Sequence, residues 1–449
     1  MTSDKSEAIY NKACTVLPGG VSRNTVFRRP HPHYVEKAAG CLITDIEGVT
    51  RIDFANNMAA LIHGHAHPSI VDAVTEQLRR GSAYTMASEI EVVFAELLRD
   101  RVPGFEMLRF VNSGTEAVMA MIKASRAFTG RAKIAKAEGA YHGTYDFAEV
   151  SQVANPSNWG DIDSPNSVPL AHGTPRGVLE DVIIFPYNDI ERTLAILDRH
   201  ASELACVLID PVPHRVGLVP GSAEFVEALH AWTRRNAALL CFDEVVTFRV
   251  GYGGAQERYT VAPDLTALGK IIGGGFPVGA LAGRAEVMQV LDPRQANVPF
   301  PHSGTFSANP ITMTAGYTAM ALFDRDAVTR LNALTAQAIA RIEEAARIAA
   351  VPVSITGAGS MFRMHLSETP PATYREAWQP KETQQVINEL LEYMYTEEHI
   401  LMINTFACMF STALGGAEVD RLADGLLHAF RTLKPRIDAV ARREGAVTA

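Results

Sequence analysis

The sequence predicts an α/β fold built on a mostly parallel sheet, followed by a separate α+β module. Three observations carry this. Apolar runs such as VIIF, ACVLID and ALLCFD alternate with amphipathic helical stretches, the pattern of parallel strands covered on both faces. Small and polar residues gather where those runs end, and open α/β sheets bind ligands at the carboxyl ends of their strands. Near residue 351 the text changes to PVSITGAGSMFRMHL, a helix, ILMINTFACMFSTAL and a final helix, which reads as a module distinct from the first sheet.

Taken in order, residues 1 to 17 carry helical spacing and stop at Pro18-Gly19-Gly20. The loop-like segment that follows gathers Arg23, Arg28 and Arg29, either as a solvated face or with one fork available to a substrate carboxylate. Residues 34 to 57 predict a small antiparallel sheet with turns at Gly40 and Glu47-Gly48. Pro68 opens an amphipathic helix, and a second helix runs from about Glu89 to Asp100. His63, His65 and His67 alternate with no acidic ligand beside them, so they are expected to pack in a loop rather than bind metal.

A strand from Leu108 to Val111 runs into Ser113-Gly114-Thr115, which opens a long helix. Small residues at a helix N-terminus make a phosphate cup. An N-cap serine with a glycine in the turn gives the same local structure. Beyond the next strand stands Tyr141-His142-Gly143, where Tyr141 either stacks on a planar ring or packs in the core with its hydroxyl at the surface. Residues 151 to 177, with Trp159, predict an irregular loop of the kind that serves as a lid.

Helices to about Arg199 and from about Ala223 to Arg235 alternate with the strands that end near Asp210 and Asp243. Further on, AEVMQVL reads as a short helix and His302-Ser303-Gly304-Thr305 as a second small-residue turn. Pro310 starts a long helix, and another spans about Ala327 to Ala349.

The stretch from Ala238 to Gly283 carries the chemistry. An apolar run ends in Asp243 and Glu244, and Lys270 later precedes Gly273 to Gly275. A lysine amine forms a Schiff base with an aldehyde, and a carboxylate keeps a pyridine nitrogen protonated. Together they suit a pyridoxal phosphate (PLP) ring. Taken alone, these residues read equally well as a core strand whose acids cap a turn, followed by a surface lysine. Ser113, Asp210, Asp243 and Lys270 all fall at or just beyond strand ends, which favours the cofactor.

Composition excludes other classes. The chain has 449 residues, 47% hydrophobic and 20% charged, an ordinary globular balance. A net charge of -9 with scattered basic residues argues against nucleic acid or an anionic membrane as partner. Cys14, Cys41, Cys206, Cys241 and Cys408 form no CxxC pair and are expected to be small buried hydrophobes. With no apolar signal core or spanning run, the expected location is cytoplasmic. No GxGxxG opens a helix near the start, which disfavours a nicotinamide dehydrogenase.

With these residues assembled, the sequence resembles the class III, fold type I PLP-dependent aminotransferases, in the group around glutamate-1-semialdehyde aminomutase. The segment DEVVTFRVGYGGAQERYTVAPDLTALGKIIGGGFPVGA carries the match most specifically. FVNSGTEA, AYHG, GHAHP and HSGTFSANP add to it. The resemblance implies a large, mostly parallel seven-stranded domain over residues 63–315. A smaller α+β domain would be drawn from residues 1–62 and 316–449.

It further implies Lys270 as the Schiff-base lysine and proton shuttle, Asp243 against the pyridinium nitrogen, and Tyr141 on the ring. Ser113, Gly114 and Thr115 would hold the phosphate, with His142 and Asp210 also at the cofactor. Thr305 would reach the phosphate of a neighbouring subunit, which implies a homodimer with shared sites.

Two departures bear on substrate. The chain has Asp210-Pro211-Val212-Pro213-His214-Arg215 where the group has Glu-Pro-Val and then Gly-Asn, so Arg215 is a new cation near the ring. The aminomutases carry an early arginine where this chain has Val26, and Arg23 comes earlier instead. That placement is similar to the β-phenylalanine type of β-amino acid aminotransferases, in which such an arginine receives the substrate carboxylate. Arg23 and Arg215 are therefore candidate carboxylate anchors, and a structural ion pair is the competing role for either. Many transaminases have a carboxylate-binding arginine near the C-terminal strand; MINTFACMFSTAL contains none.

The expected enzyme is a PLP-dependent aminotransferase moving an amino group between an amino acid and a keto acid, with β-amino and unusual aromatic amino acids among the candidates. The alternatives are a glutamate-1-semialdehyde-type 2,1-aminomutase, an amino acid racemase or epimerase on the same scaffold, and a non-catalytic binding protein that kept the fold.

Overall fold

The computed structural model describes residues 5–447. Its centre is a seven-stranded sheet of β1 Met107–Val111, β2 Lys133–Ala137, β3 Val182–Phe185, β4 Leu204–Ile209, β5 Leu239–Asp243, β6 Leu265–Gly269 and β7 Gly279–Gly283. The spatial order is β1-β7-β6-β5-β4-β2-β3. β7 runs antiparallel to both neighbours, and the other pairings are parallel.

Strand parity explains why these runs look continuously apolar. Leu239 and Cys241 of β5 enter one core with Cys206 and Leu208 of β4, while Leu240 and Phe242 enter another with Val207 and Ile209. A strand buried on both faces has no polar side to show. Helix Gly114–Thr129 lies on the first face and helix Ala223–Asn236 on the second. Both start at a serine whose Oγ accepts an N–H from the first turn, Ser113 and Ser222.

Two smaller sheets flank this centre. Strands Val35–Ala39, Leu42–Asp45 and Thr50–Asp53 are antiparallel, and Ile400–Leu401 joins them in parallel beside Thr50–Asp53. Ser354–Ala358, Met361–His365 and Ala407–Met409 form the other. The run ILMINTFACMFSTAL is thus not one strand but two short ones, separated by a turn and shared between sheets. Both halves are apolar because both are buried, so hydropathy alone shows no break.

Three other expectations change. His65 does have an acid beside it: Nε2 lies 2.7 Å from Asp53, brought in by the end of a neighbouring strand. Cys14 is exposed, while the other four cysteines are buried and free. The loop 151–177 is fastened rather than loose. Trp159 meets Tyr374 and Trp378 edge-on. Arg375 donates to buried Glu138 at 2.8 and 3.1 Å and to the Gly160 carbonyl at 3.0 Å. Among the described residues, no helix is long and apolar enough to cross a membrane.

Candidate active site

The carboxyl ends of β1, β4, β5 and β6 converge on one set of side chains. Asp243, the last residue of β5, is 4% exposed. One carboxylate oxygen accepts the Val245 N–H at 3.0 Å, and the other faces Nδ1 of His142 at 2.8 Å. His142 is buried, and among the described residues its Nε2 has no partner. Burial lowers the pKa of its imidazole against the opposing pull of Asp243, which favours the neutral ring. His142 therefore orients Asp243 while presenting its second nitrogen away from it.

Lys270 follows β6 directly and sits at φ +48°, a backbone region that β-carbon residues seldom adopt. Such strain survives only where the surroundings enforce it. Desolvation lowers the pKa of its amine, and the charges of Asp243 and Asp210 oppose that shift. Asp210, just past β4, accepts the Val212 N–H at 2.9 Å. Burial first, and then Asp243, push its carboxyl well above the usual range, so Asp210 holds a proton more readily than a free acid does.

At the start of helix Gly114–Thr129, Ser113 Oγ accepts the Glu116 N–H at 3.1 Å while Glu116 reaches back to the Asn112 N–H at 2.7 Å. This is a capping box shifted by one residue. The turn has no room for larger groups: a Cβ on Gly114 would stand 2.7 Å from Val245, and one on Gly143 would stand 2.6 Å from Thr115 Oγ1. Tyr141 is 41% exposed, with the Arg215 guanidinium 5.4 Å above its ring. Arg215 is exposed, and so is Arg23, which donates to Asn57 Oδ1 at 2.9 Å. Thr305 is exposed too, in a surface groove shared with Tyr84, Met86 and Ser88.

The class-III aminotransferase family model matches residues 26–393. The chain belongs to the class III aminotransferases. These enzymes work with pyridoxal 5'-phosphate. Over 96% of its length this aminotransferase superposes on an omega-transaminase from Sphaerobacter thermophilus, covering 98% of that chain, with 44% identity and a TM-score of 0.93. A β-phenylalanine aminotransferase from Variovorax paradoxus is 30% identical, with a TM-score of 0.86 over 96% of this chain and 95% of its own. A glutamate-1-semialdehyde 2,1-aminomutase of Methanothermobacter thermautotrophicus is 38% identical over 374 residues, 83% of this chain and 86% of its own length.

Two buried contacts around these strand ends were not legible in the sequence. The Arg375–Glu138 pair joins residues far apart in sequence, and no local pattern announces it. Arg363, buried beside His214, lies in the stretch PVSITGAGSMFRMHL, where no local pattern singles it out.

Proposed function

We propose that this aminotransferase moves an amino group from an amino acid to a keto acid in two half-reactions at the convergence of β1, β4, β5 and β6. The joint placement of buried Asp243 and strained, desolvated Lys270 carries the reading. The residues present fit pyridoxal 5'-phosphate. Gly114 and Gly143 line a turn too tight for any Cβ, at a helix start whose outward N–H groups suit a phosphate. Besides the Val245 N–H, Asp243 meets a ring that favours its neutral form, which leaves its charge for a cationic nitrogen.

When bound, pyridoxal phosphate supplies an electron sink that acidifies the substrate's C–H bond. The chain's residues do the rest. Lys270 Nζ, with its pKa lowered by burial, exists more readily as a free amine and can take and return a proton. Asp243 presents its carboxylate at the carboxyl end of the central strand β5, and His142 keeps that carboxylate in place. Tyr141 covers the open side, and Ser113, Gly114 and Thr115 form the anion cup. Thr305 would serve the site of a second copy. The strongly exposed Met86 and Phe306 near it are apolar surface of the kind that homodimers bury. Arg23 or Arg215 would hold the substrate carboxylate.

Amino donors supplied with pyruvate or 2-oxoglutarate should yield a new amino acid. The Arg23→Ala and Arg215→Ala variants test the anchors: an unchanged Michaelis constant for carboxylate substrates removes that arginine from the role. A 2,1-aminomutase is the second reading, supported by the 38% identical relative of that name. Turnover of glutamate-1-semialdehyde with no external acceptor would make it the better one.

A further inference from the structure

Strand Met361–His365 carries a guanidinium that the fold leaves under-used. Arg363 is 7% exposed. Among the described residues its one hydrogen bond is long, from Nη1 to the His214 carbonyl at 3.5 Å, and its Nε has no acceptor. Burying a cation with so few partners is costly. Desolvation lowers its pKa to about 10.

Two other buried arginines show what a structural role looks like. Arg249 donates to Ser360 Oγ and to the carbonyls of Ala59 and Phe410. Arg101 donates to the carbonyls of Tyr252, Met320 and Phe323 at 2.8, 2.8 and 2.9 Å. Each ties separate segments together with several acceptors. Arg363 makes no comparable set of bonds, so the fold gives it little reason to be charged.

Its position supplies one. Arg363 stands opposite Ala407 in the ladder, across from the apolar run that contains no arginine of its own. His214 belongs to the turn that leaves Asp210, and Arg215, next in the chain, sets its guanidinium 5.4 Å over the Tyr141 ring. Thr405, two residues before Ala407, bonds His214 Nε2 through its hydroxyl at 2.9 Å. A buried fork with an open Nε therefore meets the same turn that leaves Asp210 and reaches Tyr141. A carboxylate matches that fork geometrically and electrostatically.

We propose that Arg363 is the interior anchor for the carboxylate shared by the amino acid and the keto acid. The inference rests on the amino-acid-to-keto-acid reading above, and it ranks Arg363 ahead of the exposed Arg23 and Arg215. In the holoenzyme, Arg363→Met should raise the Michaelis constant for a keto acid and an amino acid donor by about 100-fold. Turnover of a carboxylate-free primary amine donor should be retained. Calorimetric affinity of the wild-type holoenzyme for unreactive benzoate should be lost in Arg363→Met. In Arg363→Lys, which keeps the charge but not the fork, it should be weakened by about tenfold.

Equal losses with carboxylate and carboxylate-free donors would overturn the proposal and mark Arg363 as structural, as would undiminished benzoate affinity in the variants. Should the methionine variant not fold, the lysine variant decides by the same two comparisons. If the wild-type protein transaminates no amino acid and keto acid pair yet binds benzoate through Arg363, the function reading fails and the anchor stands.

Discussion

The floor and the mouth of the same site are built by opposite rules. At the floor, both oxygens of Asp243 are engaged, one by the Val245 N–H and one by His142, and Lys270 is held in a left-handed backbone conformation. At the mouth, Tyr141, Arg23 and Arg215 are exposed. Among the described residues Arg23 has one side-chain bond, to Asn57, and Arg215 reaches the Gln152 carbonyl at 3.5 Å and lies over the Tyr141 ring. Groups that act on every substrate benefit from rigid support, because small misplacements are expensive in rate. Groups that meet a particular substrate can wait for that ligand to order them. The floor therefore sets the chemistry and the mouth the preference.

Substitutions at the floor should break function outright. Lys270→Ala should reduce transamination by at least about 1000-fold, and Asp243→Asn by about 100- to 1000-fold, in steady-state assays with saturating cofactor. A loss within tenfold for either would erase the distinction drawn here. Substitutions at the mouth should act mainly on Michaelis constants.

The fastened loop sharpens the comparison from outside. Arg375→Met leaves buried Glu138 without its cation and should cost about 3–5 kcal/mol in denaturant unfolding. Adding Glu138→Gln should recover much of that loss. If Arg375→Met unfolds at the wild-type midpoint, the loop is not held by this pair. Gly139 tests the same seat: at φ +73°, a Cβ would overlap the Tyr374 ring. Gly139→Ala should cost about 2–3 kcal/mol. Gly130→Ala, with φ +71° but open space around it, should cost only about 1 kcal/mol.

The last effect is electrostatic. Burial lowers the imidazole of His365 to about 3, with Arg363 adding to the shift. Its folded pKa lies below the unfolded value, so its contribution is complete above about pH 6.5 and is lost as pH falls toward 3. Stability should therefore decline by about 1 kcal/mol per pH unit between pH 6 and 4 through this group. His365→Asn should flatten that part of the unfolding profile. An unchanged slope would show that His365 is not held neutral.

Much of the fold was legible because buried parallel strands and capped helices write themselves locally. The apolar run into Asp243 and the Ser113-Gly114 turn were visible in a few residues each. Where meaning depends on distant segments, the chain was opaque. The split of ILMINTFACMFSTAL is set by which strands lie beside each half, and the Asp53–His65 contact by a neighbouring sheet. Nothing local in PVSITGAGSMFRMHL singles out Arg363. Only its neighbours reveal that it lacks the acceptors that Arg249 has.

The most direct test is a spectrophotometric titration of the full-length protein. Addition of pyridoxal 5'-phosphate should produce a visible band that saturates at one equivalent per chain, bleaches with an amino donor and returns with a keto acid. Lys270→Ala should show no such cycle. A wild-type protein that stays colourless with the cofactor, or a Lys270→Ala variant that cycles like wild type, would contradict the account.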